Sequence, residues 1–292
     1  SLVNLVPVPT RGNEAHHIGV SRDGRTAFAG GLLSFRRHQD PNFFFDLTNR
    51  RQPRLVQTSR PTRGMAADAC VALANGGFLI TMMGGVATGR GGRVVEYDQD
   101  FRLVAEYPER EADVPTGFHP HGIAIEESLD VMITSDFVDP HTTLRPSRGV
   151  QAGNTVRIWD LGSRRIRATL VLTPQLHGGI MDVVFLKSPT TGHIYMFDTT
   201  DPNNLKLMGK LAIGAYATPH YLALGPDQTT LIVTDYFLDE KDFGLVHFPG
   251  DKMLHFIDVS GDSMDWRREM SIDFKRLLRP LGVVNPHGVV ML

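Results

Sequence analysis

Short runs in which apolar residues alternate with small or polar ones recur along the whole chain, separated by Gly, Asp, Asn and Pro. HHIGVSRDGRTAFAGG (16–31), ACVALANGGFLITMM (69–83), HGIAIEESLDVMITSDF (121–137) and HYLALGPDQTTLIVTDYF (220–237) each read as strand, polar turn, strand. Alternation at period two is what a half-buried strand requires. A second phrase is an apolar run that ends in aspartate: NFFFD (Asp46), VVEYD (Asp98), VRIWD (Asp160), IYMFD (Asp198) and LHFID (Asp258). A further strand follows, as in RRIRATLVL and NLKLMGKLAI. No long stretch carries a helical period. Four antiparallel strands repeating every ~50–60 residues predict an all-β fold, a β-propeller.

The repeats are uneven. Successive aspartates stand 52, 62, 38 and 60 residues apart. The short interval holds a first strand, MDVVFLKS, and then passes through PTTG to HIYMFD with no clear second strand. The chain starts on a last-type strand (2–9, LVNLVPVP) and stops on a first-type strand (286–292, within NPHGVVML). Their pairing would close a single domain spanning 1–292. Six blades are visible by this count. A compact variant would explain the gaps, and so would a seven-bladed parent with strands absent from this sequence, which the spacing favours.

Composition narrows the functional classes. Hydrophobic residues are 41% and charged residues 21% of 292, with a net charge of −2. Such a balance suits a soluble protein with a large core and carries no electrostatic footprint for nucleic acid. No apolar run approaches the ~20 residues of a membrane span. Cys70 is the sole cysteine, which excludes an internal disulfide and a cysteine-based zinc site. Position 1 is Ser, so a leader could precede it, and both periplasmic and cytoplasmic settings stay open.

The chemistry lies with the histidines. The first strand of a propeller blade lies nearest the axis, and its leading end faces the channel mouth. Aligning repeats on their apolar alternation puts His16, His121, His220 and His287 at one structural position, with His17 beside His16. The other two blades carry Ala69 (beside Asp68) and Met181 (beside Asp182) there. Radial repetition would bring these imidazoles together, and imidazole is the commonest ligand for zinc, copper, iron and nickel. The competing reading is a Pro-His repeat habit with rings bonded to backbone. Folding each strand pair about its turn brings Asp136 near His121 and Asp235 near His220. There the carboxylates would either fix the ring tautomers or simply cap strand ends. Met82 or Met83 would fall beside Ala69, where a thioether suits copper(I) but a core role is the commoner one. His119 and His177, at leading ends of first strands, are further candidates as ligands or proton donors.

The stretches GNEAHHIGVS, ACVALANGGFLITMMGG, GRGGRVVEYDQDFRLVAEY, LDVMITSDF, NTVRIWDLGSRRIRATLVL, MDVVFLKSP, YMFDTTDPNNLKLMGKLAIG and LIVTDYF follow one another in an order that resembles the selenium-binding protein and methanethiol oxidase family. The resemblance runs from GNEAHHIGVS to the terminal histidine strand. It implies a copper-dependent oxidase that converts a small thiol, with O2 and water, to an aldehyde, sulfide and peroxide. It also implies extra residues before HIYMFD and extra strands ahead of LVNLVPVP, hence seven blades. His16, His17 and His287 match the family's positions. The second blade departs from it, with Asp68 and Cys70 where the family tends to have histidines, while His121 and His220 supply histidines from other blades.

The expected function is therefore a metal-dependent oxidoreductase, with copper on His16 or His17, His121, His220 and His287. Asp68, His119, Asp136, His177 and Asp235 are the catalytic or supporting candidates. Its partners would be O2 and a small molecule, a thiol or a related compound, shaped by the loops 138–153 and 236–252. Four axial histidines on a propeller are also similar to the iron oxygenases that cleave a carbon–carbon double bond. A propeller that binds metal or protein without turnover is the third reading.

Overall fold

The computed structural model describes residues 4–10, 15–87, 90–143, 153–171, 193–198, 206–213, 219–225, 227–235, 252–261 and 263–277, together with 279 and 289. Eighteen strands form five antiparallel sheets in which chain neighbours pair. The first sheet holds β1 (Ile18–Val20), β2 (Thr26–Gly30), β3 (Asn42–Asp46) and β4 (Arg54–Ser59). The second holds β5 (Gly64–Ala72), β6 (Phe78–Gly85), β7 (Gly91–Tyr97) and β8 (Leu103–Tyr107). The third holds β9 (Pro120–Glu126), β10 (Val131–Asp136), β11 (Thr155–Asp160) and β12 (Arg165–Val171). A two-stranded sheet follows, β13 (His193–Asp198) with β14 (Lys206–Ala212), and the last comprises β15 (Pro219–Leu224), β16 (Thr230–Asp235), β17 (Met253–Ser260) and β18 (Ser263–Asp273).

The all-β propeller architecture stands, with four four-stranded blades among the described residues where the repeats predicted six and a seven-bladed parent. Apolar alternation marks strands, not completed sheets: among the described residues IYMFD belongs to a two-stranded sheet. Residues 4–9 of the predicted N-terminal strand 2–9 carry no strand, although Val6 and Val8 pack against Ala27, Ala29, Phe43 and Phe45. The segments 181–188 and 285–292 lie outside the described residues, apart from 289.

The blades are held face to face by apolar side chains. Phe28 and Phe44 of the first meet Phe78, Ile80 and Tyr97 of the second, while Leu79 and Val94 on its other face meet Ile123, Met132 and Trp159 of the third. Middle strands such as β6, buried throughout, therefore read as continuous apolar runs. Outer strands alternate exposed and covered positions, as in β12. The recurrent aspartate closes the hairpin between the third and fourth strands. Asp46 accepts bonds from Thr48 N (2.8 Å) and Arg54 (2.6 Å), Asp98 from Arg102 N (2.8 Å), and Asp258 from Arg267 (2.5 Å). Among the described residues no helix is long and apolar enough to cross a membrane.

A candidate metal centre on the propeller axis

Inner strands β1, β5, β9 and β15 deliver one group of side chains. His16 and His17 lie just ahead of β1, tied to the end of β2 by His16 N–H to Gly30 O (2.6 Å) and Gly30 N–H to His17 O (2.9 Å). His121 and His220 are the second residues of β9 and β15, each following a proline. The four imidazoles are buried, and one ligand nitrogen from each lies within 4.8 Å of all the others. Their ring centroids are 4.9 Å (His16–His17) to 6.4 Å (His16–His121) apart. Nitrogens about 2.1 Å from one ion stand at most about 4.2 Å from each other, so small side-chain adjustments bring this set onto a shared metal.

A carboxylate borders this group on the side of His16, His17 and His121. Asp68, fully buried, places Oδ1 2.9 Å from His17 Nδ1 and 3.8 Å from His16 Nε2, and Oδ2 3.2 Å from His121 Nε2. Burial pushes its carboxyl up, but the neighbouring His121, His17 and His16 outweigh that and hold it well below the usual carboxylate range. Alternation had set Ala69 at the axial position of this blade. The register of β5 against β6 slips between Ala67 and Cys70, and that bulge turns Asp68 inward instead.

The same device recurs. The pairing of β10 with β9 slips between Thr134 and Asp136, and that of β15 with β16 between Pro219 and Leu222. In each blade a second-strand hydroxyl accepts the N–H of the residue after the axial one. Thr81 takes Ala69 N (3.0 Å), Ser135 takes Gly122 N (3.1 Å) and Thr234 takes Tyr221 N (3.2 Å). A bulge removes a ladder partner from the backbone, and a short hydroxyl replaces it. Thr81 also donates to His121 O at 2.6 Å, fixing Asp68's strand against His121's. These hydroxyls escaped sequence reading; their signal was a hydroxyl residue near the end of the second apolar run, as in FLITMM, VMITSD and LIVTDY.

Two glycines allow the close approach. A Cβ on Gly19 would lie 2.3 Å from Cys70 Sγ, and one on Gly30 would lie 2.9 Å from Asp68 O. Cys70 sits in the apolar cluster between the first two blades, where burial pushes its thiol well above the ordinary range.

The other candidates are placed as follows. Asp136 does not reach the ring of His121; it accepts His119 N (2.7 Å), Arg157 Nε (2.8 Å) and Thr155 Oγ1. Its position opposite Pro120 sets it beside the backbone that enters β9 rather than beside the imidazole. Burial pushes its carboxyl up, only partly countered by Arg157. Asp235 occupies the equivalent place opposite Pro219 and is buried. His119 is also buried, with Nδ1 2.9 Å from Met83 O. Met82 packs in the apolar core, and Met83 in a cluster with Leu32, Ala66 and Val138. His177 and His287 lie outside the described residues.

Aromatic side chains border the centre: Phe137 stands 5.1 Å from His121 and Tyr221 4.5 Å from His17, ring to ring. Phe137 adjoins the apolar cluster of Leu32, Met83 and Val138. Ala69, Cys70, Ile123, Tyr221 and Leu222 of the inner strands, with Met196 of β13, line a mainly apolar cavity of about 280 Å³.

Fold and site together define a β-propeller with a buried, axial histidine–carboxylate centre. Among solved structures, a hypothetical selenium-binding protein from Sulfolobus tokodaii is similar over 94% of this chain and 84% of its own, at TM-score 0.61 and 14% identity. A protein from Lactobacillus plantarum is similar over 94% and 73% at TM-score 0.54 and 10% identity. Hydrazine synthase from Kuenenia stuttgartiensis matches over 93% and 68%, at 0.52 and 12%. At such identities the likeness is one of fold. No family model matches the chain, and no curated protein matches it.

Proposed function

We propose that this protein is a metal-dependent oxidoreductase that acts on a small molecule with O2. The observation that carries the reading is the convergence of His16, His17, His121 and His220, all buried, with one nitrogen from each within 4.8 Å of the rest. Imidazole suits copper, and the same nitrogen set suits iron. A copper or iron ion held there would supply Lewis acidity and one-electron exchange. The chain's own part is to orient the four rings through bulged inner strands and to keep water away with Phe137, Tyr221 and the adjoining apolar cluster. The apolar cavity beside Ala69 and Tyr221 suits a small uncharged substrate; a small thiol is the candidate that the resemblance in sequence implies.

Elemental analysis of the purified protein, with electron paramagnetic resonance, tests the reading. About one copper or iron per chain is expected, with nitrogen hyperfine structure if copper, and stoichiometric loss in His121→Ala and His220→Ala. Thiol-dependent oxygen uptake by the copper form supports the oxidase. Iron without thiol activity points to the double-bond-cleaving oxygenase. Wild-type and alanine variants with the same negligible metal content would leave a propeller scaffold.

A further inference from the structure

We propose that Asp68 binds the metal directly and makes the centre selective for charge, so that it takes a divalent ion and disfavours copper(I). The inference rests on the metal reading above and adds a fifth donor to the four imidazoles. Asp68 is fully buried on the axis, and the three imidazoles of His16, His17 and His121 are its ion-pair partners. His17 Nδ1 lies 2.9 Å from one carboxylate oxygen and His121 Nε2 3.2 Å from the other. No arginine or lysine stands against it among the described residues. A carboxylate removed from water requires a cation or several aimed donors, since burying it alone is prohibitive. A metal dication among the same atoms supplies that charge and leaves each imidazole neutral and ligating.

The donor set then decides the class of ion. Four nitrogens and one carboxylate oxygen are borderline to hard ligands, whereas soft thiolate and thioether select copper(I). The nearby sulfurs are turned elsewhere: Cys70 packs against Gly19, and Met82 and Met83 lie in apolar clusters. At a fixed distance Asp68 attracts a dication twice as strongly as a monocation. Its contribution to affinity for M2+ is therefore the square of that for M+.

Zinc(II) and copper(I) are each titrated into metal-free wild type and Asp68→Asn against competing chelators, with circular dichroism confirming equal folding. The expected result is a loss of about 100-fold in zinc(II) affinity and about 10-fold for copper(I). Infrared difference spectra of zinc addition to wild type labelled with carboxyl-13C aspartate should show one shifted carboxylate band, a readout that does not need the variant to fold. Unchanged zinc affinity, equal losses for the two ions, or no shifted band would overturn the proposal while leaving the four-histidine site intact. Wild type that binds neither ion would remove both.

Discussion

At the scale of single residues, the buried polar groups are where the chain is most sensitive. Asp136 and Arg157 form an ion pair from which water is almost excluded, with Arg157 over the Phe118 ring at 5.2 Å and Asp136 holding His119 N. Burial outweighs Arg157 at the Asp136 carboxyl, so the pair adds little net stability, but breaking it strands a charge. Asp136→Ala is expected to lower unfolding free energy by about 3–5 kcal/mol in denaturant titration. Tyr97 provides a pH signature. Burial pushes its phenol from the ordinary 10 up to about 12, against hydrogen bonds from Asn42 and with Ser59. A raised acid in the fold keeps full stability below pH 10 and loses it as pH rises toward 12. Absorbance at ~295 nm should show one tyrosine titrating about two pH steps after an ordinary phenol. The stability profile of Tyr97→Phe should be flatter across that window. Asp68 shows why residue-level reading fell short. Strict alternation selects Ala69, and only a slip of register exchanges the two.

At the scale of elements, strand and turn were legible because local physics fixes both. Period-two alternation marks strands whose two faces meet different neighbours, and Asp46, Asp98 and Asp258 close the hairpins whose phrases they end. The pairing bulges were not legible, since a bulge leaves no residue type of its own. Their hydroxyl partners make them testable. Thr81→Val leaves Ala69 N–H and His121 O without this hydroxyl, and a loss of about 2 kcal/mol is expected by calorimetry. Metal affinity should also fall by ~10-fold, because Thr81 links the strand of Asp68 to that of His121. Thr81→Ser should restore most of both.

At the scale of the whole molecule, the centre joins segments as far apart as His16 and His220, so an ion there stabilises several blades at once. Saturating zinc(II) at ~100 times its Kd should add about 2.7 kcal/mol and raise Tm by several degrees, and chelation should reverse the shift. His121→Ala should abolish most of that response without changing the metal-free Tm downward by a comparable amount.

The order of residues by itself determined the strand-turn-strand pattern, the propeller class and which histidines recur at strand starts, because each follows from local periodicity. The tertiary structure alone decided that Asp68 and not Ala69 faces the axis, and that both His16 and His17 reach it. Those outcomes depend on register and on contacts between distant strands, where backbone hydrogen bonds and packed volume choose among arrangements that are equivalent in sequence.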